Sequence, residues 1–97
     1  MLIAVNAKPD SAALPRLESE ILRLTAERGP EKSICPSEPA RLIAGSAGDQ
    51  WGALMPAVRR IAVRLAKEGR LVIMRKGKIA DPDDFRGVYR LSAPRQE

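Results

Sequence analysis

The sequence has no histidine and only one cysteine, Cys35. The commonest zinc ligand and the usual general base of hydrolytic enzymes are therefore missing, and a single thiol forms no internal disulfide. Serine–lysine and carboxylate chemistry remain available by composition, but no motif in the chain arranges such groups. We therefore expect a protein that is not an enzyme and that uses neither a metal nor a cofactor.

Aromatic residues and long apolar runs are also scarce. The three aromatic residues are Trp51, Phe85 and Tyr89, so the core of this 97-residue chain must consist mainly of aliphatic side chains. No apolar run reaches the ~18 residues that span a bilayer, and the apolar start, residues 1–5, is shorter than the core of a signal peptide. The sequence predicts one cytoplasmic domain without a membrane segment.

Positive charge is abundant and unevenly placed. The chain carries 17 basic and 12 acidic residues. Eight of the basic residues fall within residues 59–78, where Glu68 is the one acidic residue. Because clustered like charge opposes folding, such a segment is typical of a protein with an anionic partner. The alternative is a solvated face that only maintains solubility.

The first predicted helix covers residues 14–28. Its leucines and isoleucine recur at three- and four-residue steps, which gives an apolar stripe typical of a packed helix. Pro15 fits the first turn, where its missing N–H is not needed. Gly29 and Pro30 then end the helix, because glycine permits a left-handed cap and proline prevents continuation.

A short second helix is predicted over residues 38–44, after a brief extended piece at residues 33–35. Ser37 is the predicted N-cap, which places Glu38 in the first turn near the positive end of the helix dipole. Pro39 then falls where no backbone donor is required.

The third predicted helix begins with Asp49 as N-cap and ends at Glu68, with Gly69 as a left-handed cap. Pro56 interrupts this span, so either residues 50–55 form a separate turn or the helix bends there. At 100° per residue, apolar and basic side chains take opposite sides of the helix. The apolar side holds Leu54, Val58, Ile61, Ala62 and Leu65, and the basic side holds Arg59, Arg60, Arg64 and Lys67.

Two strands follow the third helix. An apolar, partly β-branched run predicts the first over residues 70–75, and residues 88–91 form the second. Lys76, Gly77 and Lys78 make a turn at the tip, and residues 79–85 form a loop.

The order of these elements is helix, extended piece, helix, turn, helix, strand, loop, strand. This order predicts an α+β, helix-rich fold, a winged helix-turn-helix with three helices and a C-terminal β-hairpin wing. Residues 14–92 form the domain, residues 1–13 an N-terminal extension and residues 93–97 a tail.

Several segments also resemble a family of small bacterial proteins of uncharacterised function. They are Ile34-Cys35-Pro36-Ser37-Glu38-Pro39-Ala40-Arg41, Trp51-Gly52-Ala53-Leu54-Met55-Pro56-Ala57-Val58-Arg59, Glu68-Gly69-Arg70, Lys76-Gly77-Lys78 and Asp81-Pro82. The resemblance covers roughly residues 17–91, and Pro39 and Gly52 look like departures from the family pattern. The resemblance implies a winged-helix-like fold and no established activity, so it assigns no functional residue.

The basic residues predict a nucleic-acid interface, with duplex DNA as the partner. Arg60 and Arg64, one turn apart, are the candidates to face the major groove, and Arg59 and Lys67 flank them. On the wing, Arg75, Lys76 and Lys78 would reach phosphates or a minor groove. A minimal transcriptional regulator is one role that such a domain suits.

Other interpretations remain open. Asp81, Asp83 and Asp84 lie in the wing and would repel phosphates if they faced the same way. A winged-helix module that binds proteins or forms a homodimer, and an RNA- or ribosome-associated protein, are the alternatives. Cys35 is expected to be a small packed side chain rather than a redox sensor, and Trp51 a core residue rather than a base-stacking one.

Overall fold

The computed structural model describes residues 9–45 and 48–94. They form an α+β, helix-rich fold with three α-helices and one three-stranded antiparallel sheet. The helices are α1 (Pro9–Arg28), α2 (Ser37–Ala44) and α3 (Met55–Lys67), with a 3₁₀ segment (Gly48–Leu54) before α3, and the strands are β1 (Val72–Arg75), β2 (Lys78–Ile79) and β3 (Arg90–Ser92). Within these ranges no helix is both long and apolar enough to cross a membrane. Residues 1–8 of the predicted extension and 95–97 of the predicted tail lie outside the described residues.

Helix α1 is longer at its start than the sequence predicts. It begins at Pro9, so residues 9–13 of the predicted extension are helical and Pro15 lies inside the helix rather than in its first turn. Its end is confirmed at Arg28. Gly29 follows with φ of 83°, and its N–H donates to the carbonyl oxygen of Thr25 at 2.9 Å, as a left-handed C-terminal cap requires.

The start of α2 depends on Glu38 and not on the predicted cap, Ser37. Ser37 is the first helical residue, and no side chain caps the helix N-terminus at this point. The Glu38 carboxylate instead reaches back and accepts the amide N–H of Cys35 at 3.0 Å, as in the second half of a capping box. Pro36 already has helical backbone angles there, in a first turn that needs no N–H.

The structure resolves the difficulty that Pro56 poses. The residues before it form the separate 3₁₀ segment, and α3 begins at Met55, so Pro56 lies in the first turn of a regular helix. Trp51 of the 3₁₀ segment is half-buried, and the Arg41 guanidinium of α2 lies over its ring at 4.6 Å from the centroid.

The sheet joins the C-terminal strands to the segment after α1. The strand order is β2-β1-β3, and Ile73 of β1 pairs with Leu91 of β3. On its other side Leu91 forms an isolated bridge with Ile34, with N···O distances of 2.8 and 3.0 Å. The second predicted strand is therefore present but begins at Arg90 rather than Val88.

The core lies between α1, α3 and one face of the sheet. The apolar side of α3 is confirmed except for Leu54, which is only partly buried. Two aromatic residues of the loop before β3, Phe85 and Tyr89, are also buried in this core. The fully or nearly fully buried aliphatic residues include Leu17, Ile21, Leu24, Ile34, Val58, Ile61, Leu65, Leu71, Ile73 and Leu91.

We predict that Leu91→Ala lowers the free energy of unfolding by about 2–5 kcal/mol, because it leaves a cavity where β1, β3 and the segment at Ile34 meet. Leu42→Ala is the matched control, since Leu42 is 51% exposed on α2. It should change stability by about 0.5 kcal/mol or less. Urea unfolding measures both, and equal losses in the two variants would contradict this account of the core.

We also predict an acid-dependent contribution from Glu38. Partial burial raises the pKa of this carboxyl, but hydrogen bonds from Arg28 and from the Cys35 amide outweigh burial, so the pKa lies below its ordinary value of 4.5. The unfolded chain therefore takes up a proton first as the pH falls. The stabilisation is complete above about pH 5 and is lost as the pH falls through the folded pKa.

Glu38→Gln should accordingly lower the melting temperature at pH 7 and lose less stability than the wild type between pH 6 and pH 3. Melting curves across this range test it, with Glu27→Gln as a control on the exposed side of α1. Parallel curves for the wild type and Glu38→Gln would refute the assignment.

Candidate nucleic-acid interface

Helix α3 presents its basic side chains in two directions. At about 100° per residue, Arg60, Arg64 and Lys67 fall within roughly 60° of one another on the outward side. Arg59 lies about 100° away from Arg60, on the side of the loop formed by residues 80–89. The predicted grouping of four cations is therefore a stripe of three with one turned aside.

Arg59 binds the loop. Its guanidinium donates to the Phe85 carbonyl oxygen at 2.8 Å and lies 3.9 Å from the Phe85 ring centroid and 5.8 Å from that of Tyr89. The two rings meet edge to face, and burial raises the pKa of the Tyr89 hydroxyl. Arg59 therefore fastens the loop to α3 and has little freedom to reach a partner.

Arg64 belongs to a network of four ionic side chains. It donates to Glu18 of α1 and, at 3.2 Å, to Glu68 at the end of its own helix. Arg70 approaches the same two carboxylates at 3.6 and 3.3 Å. The hydrogen bond to Glu18 is the main reason that the pKa of Arg64 lies above its ordinary value.

Lys67 is paired with the acidic loop. Its ammonium lies 2.6 Å from Asp83 Oδ1. The Asp83 amide donates to Asp81 Oδ1 at 2.9 Å, as in an Asx turn. In the described part of the chain, no three potential His, Cys, Asp or Glu ligands come together.

Arg60 differs from its neighbours on α3. It is exposed, and no hydrogen bond, ion pair or ring contact engages it within residues 9–45 and 48–94. It borders a groove of about 410 Å³ between α1 and α3, which Leu14, Pro15 and Ile61 line. Along the helix axis it precedes both ion pairs: Arg64 follows about 6 Å away, turned toward α1, and Lys67 about 10.5 Å away, turned toward the loop.

Arg75, Lys76 and Lys78, together with Gly77, form what we call the wing tip. Arg75 and Lys78 are direct cross-strand partners, and Lys76 and Gly77 make the two-residue turn with φ of 52° and 80°. Positive φ at both positions is the geometry of tight hairpins. Arg75 donates to the Val88 carbonyl oxygen at 2.7 Å, so its charge stays uncompensated.

The seven predicted residues thus divide into two groups. Arg59, Arg64, Lys67 and Arg75 are held by other parts of the domain, Arg59 and Arg75 by backbone carbonyls and Arg64 and Lys67 by carboxylates, whereas Arg60, Lys76 and Lys78 have no polar partner among the residues described. Sequence reasoning missed Arg86, an exposed cation in the loop. Its position after Phe85 gave no periodic signal, because the loop has no regular structure.

Cys35 is half-buried, and its sulfur lies 3.1 Å from the Ser37 hydroxyl oxygen. This contact joins the extended piece to the first turn of α2.

Comparison with known proteins places the whole described core in one family. The model of DUF3253, a family described as proteins of unknown function, matches residues 15–94. The uncharacterized protein At4g28440 of Arabidopsis thaliana is 33% identical over 72 residues, which are 73% of this chain and 45% of the plant protein. The chain therefore spans less than half the length of that relative. Because the family match covers most of the sequence, the chain belongs to the DUF3253 family of proteins of unknown function.

Proposed function

We propose that the chain is a winged-helix protein that binds duplex DNA through the wing tip and Arg60. Two observations support the fold assignment. The strands β1 to β3 come after the three helices in the chain, and β3 lies between β1 and the extended piece at Ile34. The connection between α2 and α3 is longer than the three- or four-residue turn of a simple helix-turn-helix, because the 3₁₀ segment lies within it.

The wing tip is the main support for the proposed function, because two features of its sequence destabilise the hairpin. Arg75 and Lys78 stand directly opposite each other, and like charges in that position destabilise a hairpin. Lys76 adopts φ of 52°, where Asn or Gly is less strained. Unfavourable local choices gathered at one exposed site indicate a function outside folding, and three cations favour an anionic partner.

The proposed contacts are mainly to phosphates. Lysine and arginine at the wing tip neutralise backbone charge without reading a base, and Arg60 adds a fourth cation on α3. Four phosphate contacts correspond to a slope of about −3 to −4 in a plot of log affinity against log salt concentration.

Fluorescence anisotropy with duplex DNA and with duplex and hairpin RNA, over a salt series, tests this proposal. We expect duplex DNA to bind with that slope and Arg60→Ala/Lys78→Ala to bind at least tenfold more weakly at low salt. Arg23→Ala is the control for lost charge, because Arg23 is paired with Glu20 and Glu27 away from α3. A preference for RNA would favour the RNA-associated alternative, and no binding at low salt would refute the proposal.

Lys76→Asn should separate binding from stability. Asparagine tolerates the left-handed conformation better than lysine, so the variant should unfold at a slightly higher temperature. The same variant should bind duplex DNA more weakly and with a salt slope smaller by about one. Calorimetry and anisotropy measure the two effects, and a variant that is stabilised without losing affinity would remove Lys76 from the interface.

A protein-binding role is the second candidate, and two exposed aliphatic side chains favour it. Ile79 of β2 and Val88 of the loop are 71% and 82% exposed. Sedimentation of the wild type and of Val88→Asp would reveal a dimer that depends on this surface.

A further inference from the structure

We propose that Glu18 and Asp83 are internal substitutes for phosphate, which occupy Arg64 and Lys67 until a nucleic acid displaces them. This inference rests on the proposed nucleic-acid binding and identifies which residues limit its affinity. Both carboxylates come from outside α3, one from α1 and one from the loop.

Both pairs follow Arg60 along α3. Arg64 lies about 6 Å farther along the helix axis and about 40° around it toward α1, and Lys67 about 10.5 Å farther and about 20° toward the loop. The three cations therefore form one outward stripe, of which only Arg60, at the N-terminal end, is unengaged in the described chain. A phosphate backbone that follows this stripe from Arg60 would meet one carboxylate at Arg64 and another at Lys67.

Replacement of these carboxylates by phosphates costs little free energy of folding. The side chains of Arg64, Lys67 and Asp83 are 48%, 51% and 64% exposed, and Glu18, at 28%, is the least exposed of the four. Ion pairs at such positions contribute little to stability because water screens them. A phosphate offers arginine the same two-oxygen geometry as a carboxylate, with a full backbone charge that releases counterions when it is neutralised.

These ion pairs would make binding selective for ligands whose phosphates lie along α3. A random polyanion meets the wing tip and Arg60, and gains nothing at Arg64 or Lys67 unless it displaces a bound carboxylate. A ligand whose phosphates lie along α3 gains up to two further contacts. The internal acids thus lower affinity for poorly aligned partners more than for aligned ones.

Two matched pairs of variants test this inference against a general charge effect. Glu18→Gln frees Arg64 from its partner on α1, and Glu20→Gln removes the same charge from the same helix where Arg23 is the partner. Asp83→Asn frees Lys67, and Asp84→Asn is its neighbour control. Duplex DNA affinity is measured by anisotropy over a salt series, with thermal melting as the check on folding.

We expect Glu18→Gln and Asp83→Asn to bind duplex DNA about two- to fivefold more tightly than their controls. The salt slope should steepen, by no more than about one for each cation released. Glu18→Gln also removes a partner of Arg70, 3.6 Å away, and leaves Glu68 beside Arg64. The part of the gain that depends on Arg64 should disappear in an Arg64→Ala background, and any gain that remains belongs to Arg70.

The outcomes distinguish this inference from the proposed function. If the wild type binds duplex DNA and Glu18→Gln behaves as Glu20→Gln does, the substitution inference is wrong and the binding proposal stands. If the wild type does not bind but Glu18→Gln and Asp83→Asn do, the two acids block the site and the inference holds. If no variant binds at low salt, both are overturned.

Discussion

The pairing of Leu91 with Ile34 on one side and Ile73 on the other is the contact on which the domain depends. It brings the C-terminal strand back to the segment that follows α1, because Ile34 and Leu91 are 57 positions apart in the chain. The Ser92 hydroxyl reinforces this closure by donating to the Lys32 carbonyl oxygen at 2.6 Å. Because the loop of residues 80–89 leads into β3, the same pairing determines where the loop meets α3.

Burial of one side of α3 then determines what its other side can do. Val58, Ile61 and Leu65 are buried against the core, which directs Arg60, Arg64 and Lys67 outward. The neighbours that supply the core also supply carboxylates, since Glu18 follows the buried Leu17 on α1 and Asp83 precedes the buried Phe85. Packing and charge compensation on α3 therefore have the same structural origin.

The parts of this arrangement that sequence could predict are those with a local cause. The two sides of α3 follow from helical periodicity, and the tip at Lys76 and Gly77 follows from turn chemistry. The pair of Glu18 with Arg64 spans 46 positions, and no periodicity within one helix reports it. The cap of α2 was misassigned to Ser37 because the sequence also permits it, and only the contact of Glu38 with the Cys35 amide decides between them.

The character of α3 limits the kind of recognition it can support. Recognition helices read base edges mainly with residues of their first turns, and α3 begins with Met55, Pro56, Ala57 and Val58, which have no hydrogen-bonding side chains. Arg59 follows, but its guanidinium donates a hydrogen bond to the Phe85 carbonyl oxygen. Arg60 is then the first side chain of α3 that is available to a nucleic acid. The proposed binding must therefore depend on phosphates and duplex shape, and its selectivity on which phosphates can displace Glu18 and Asp83.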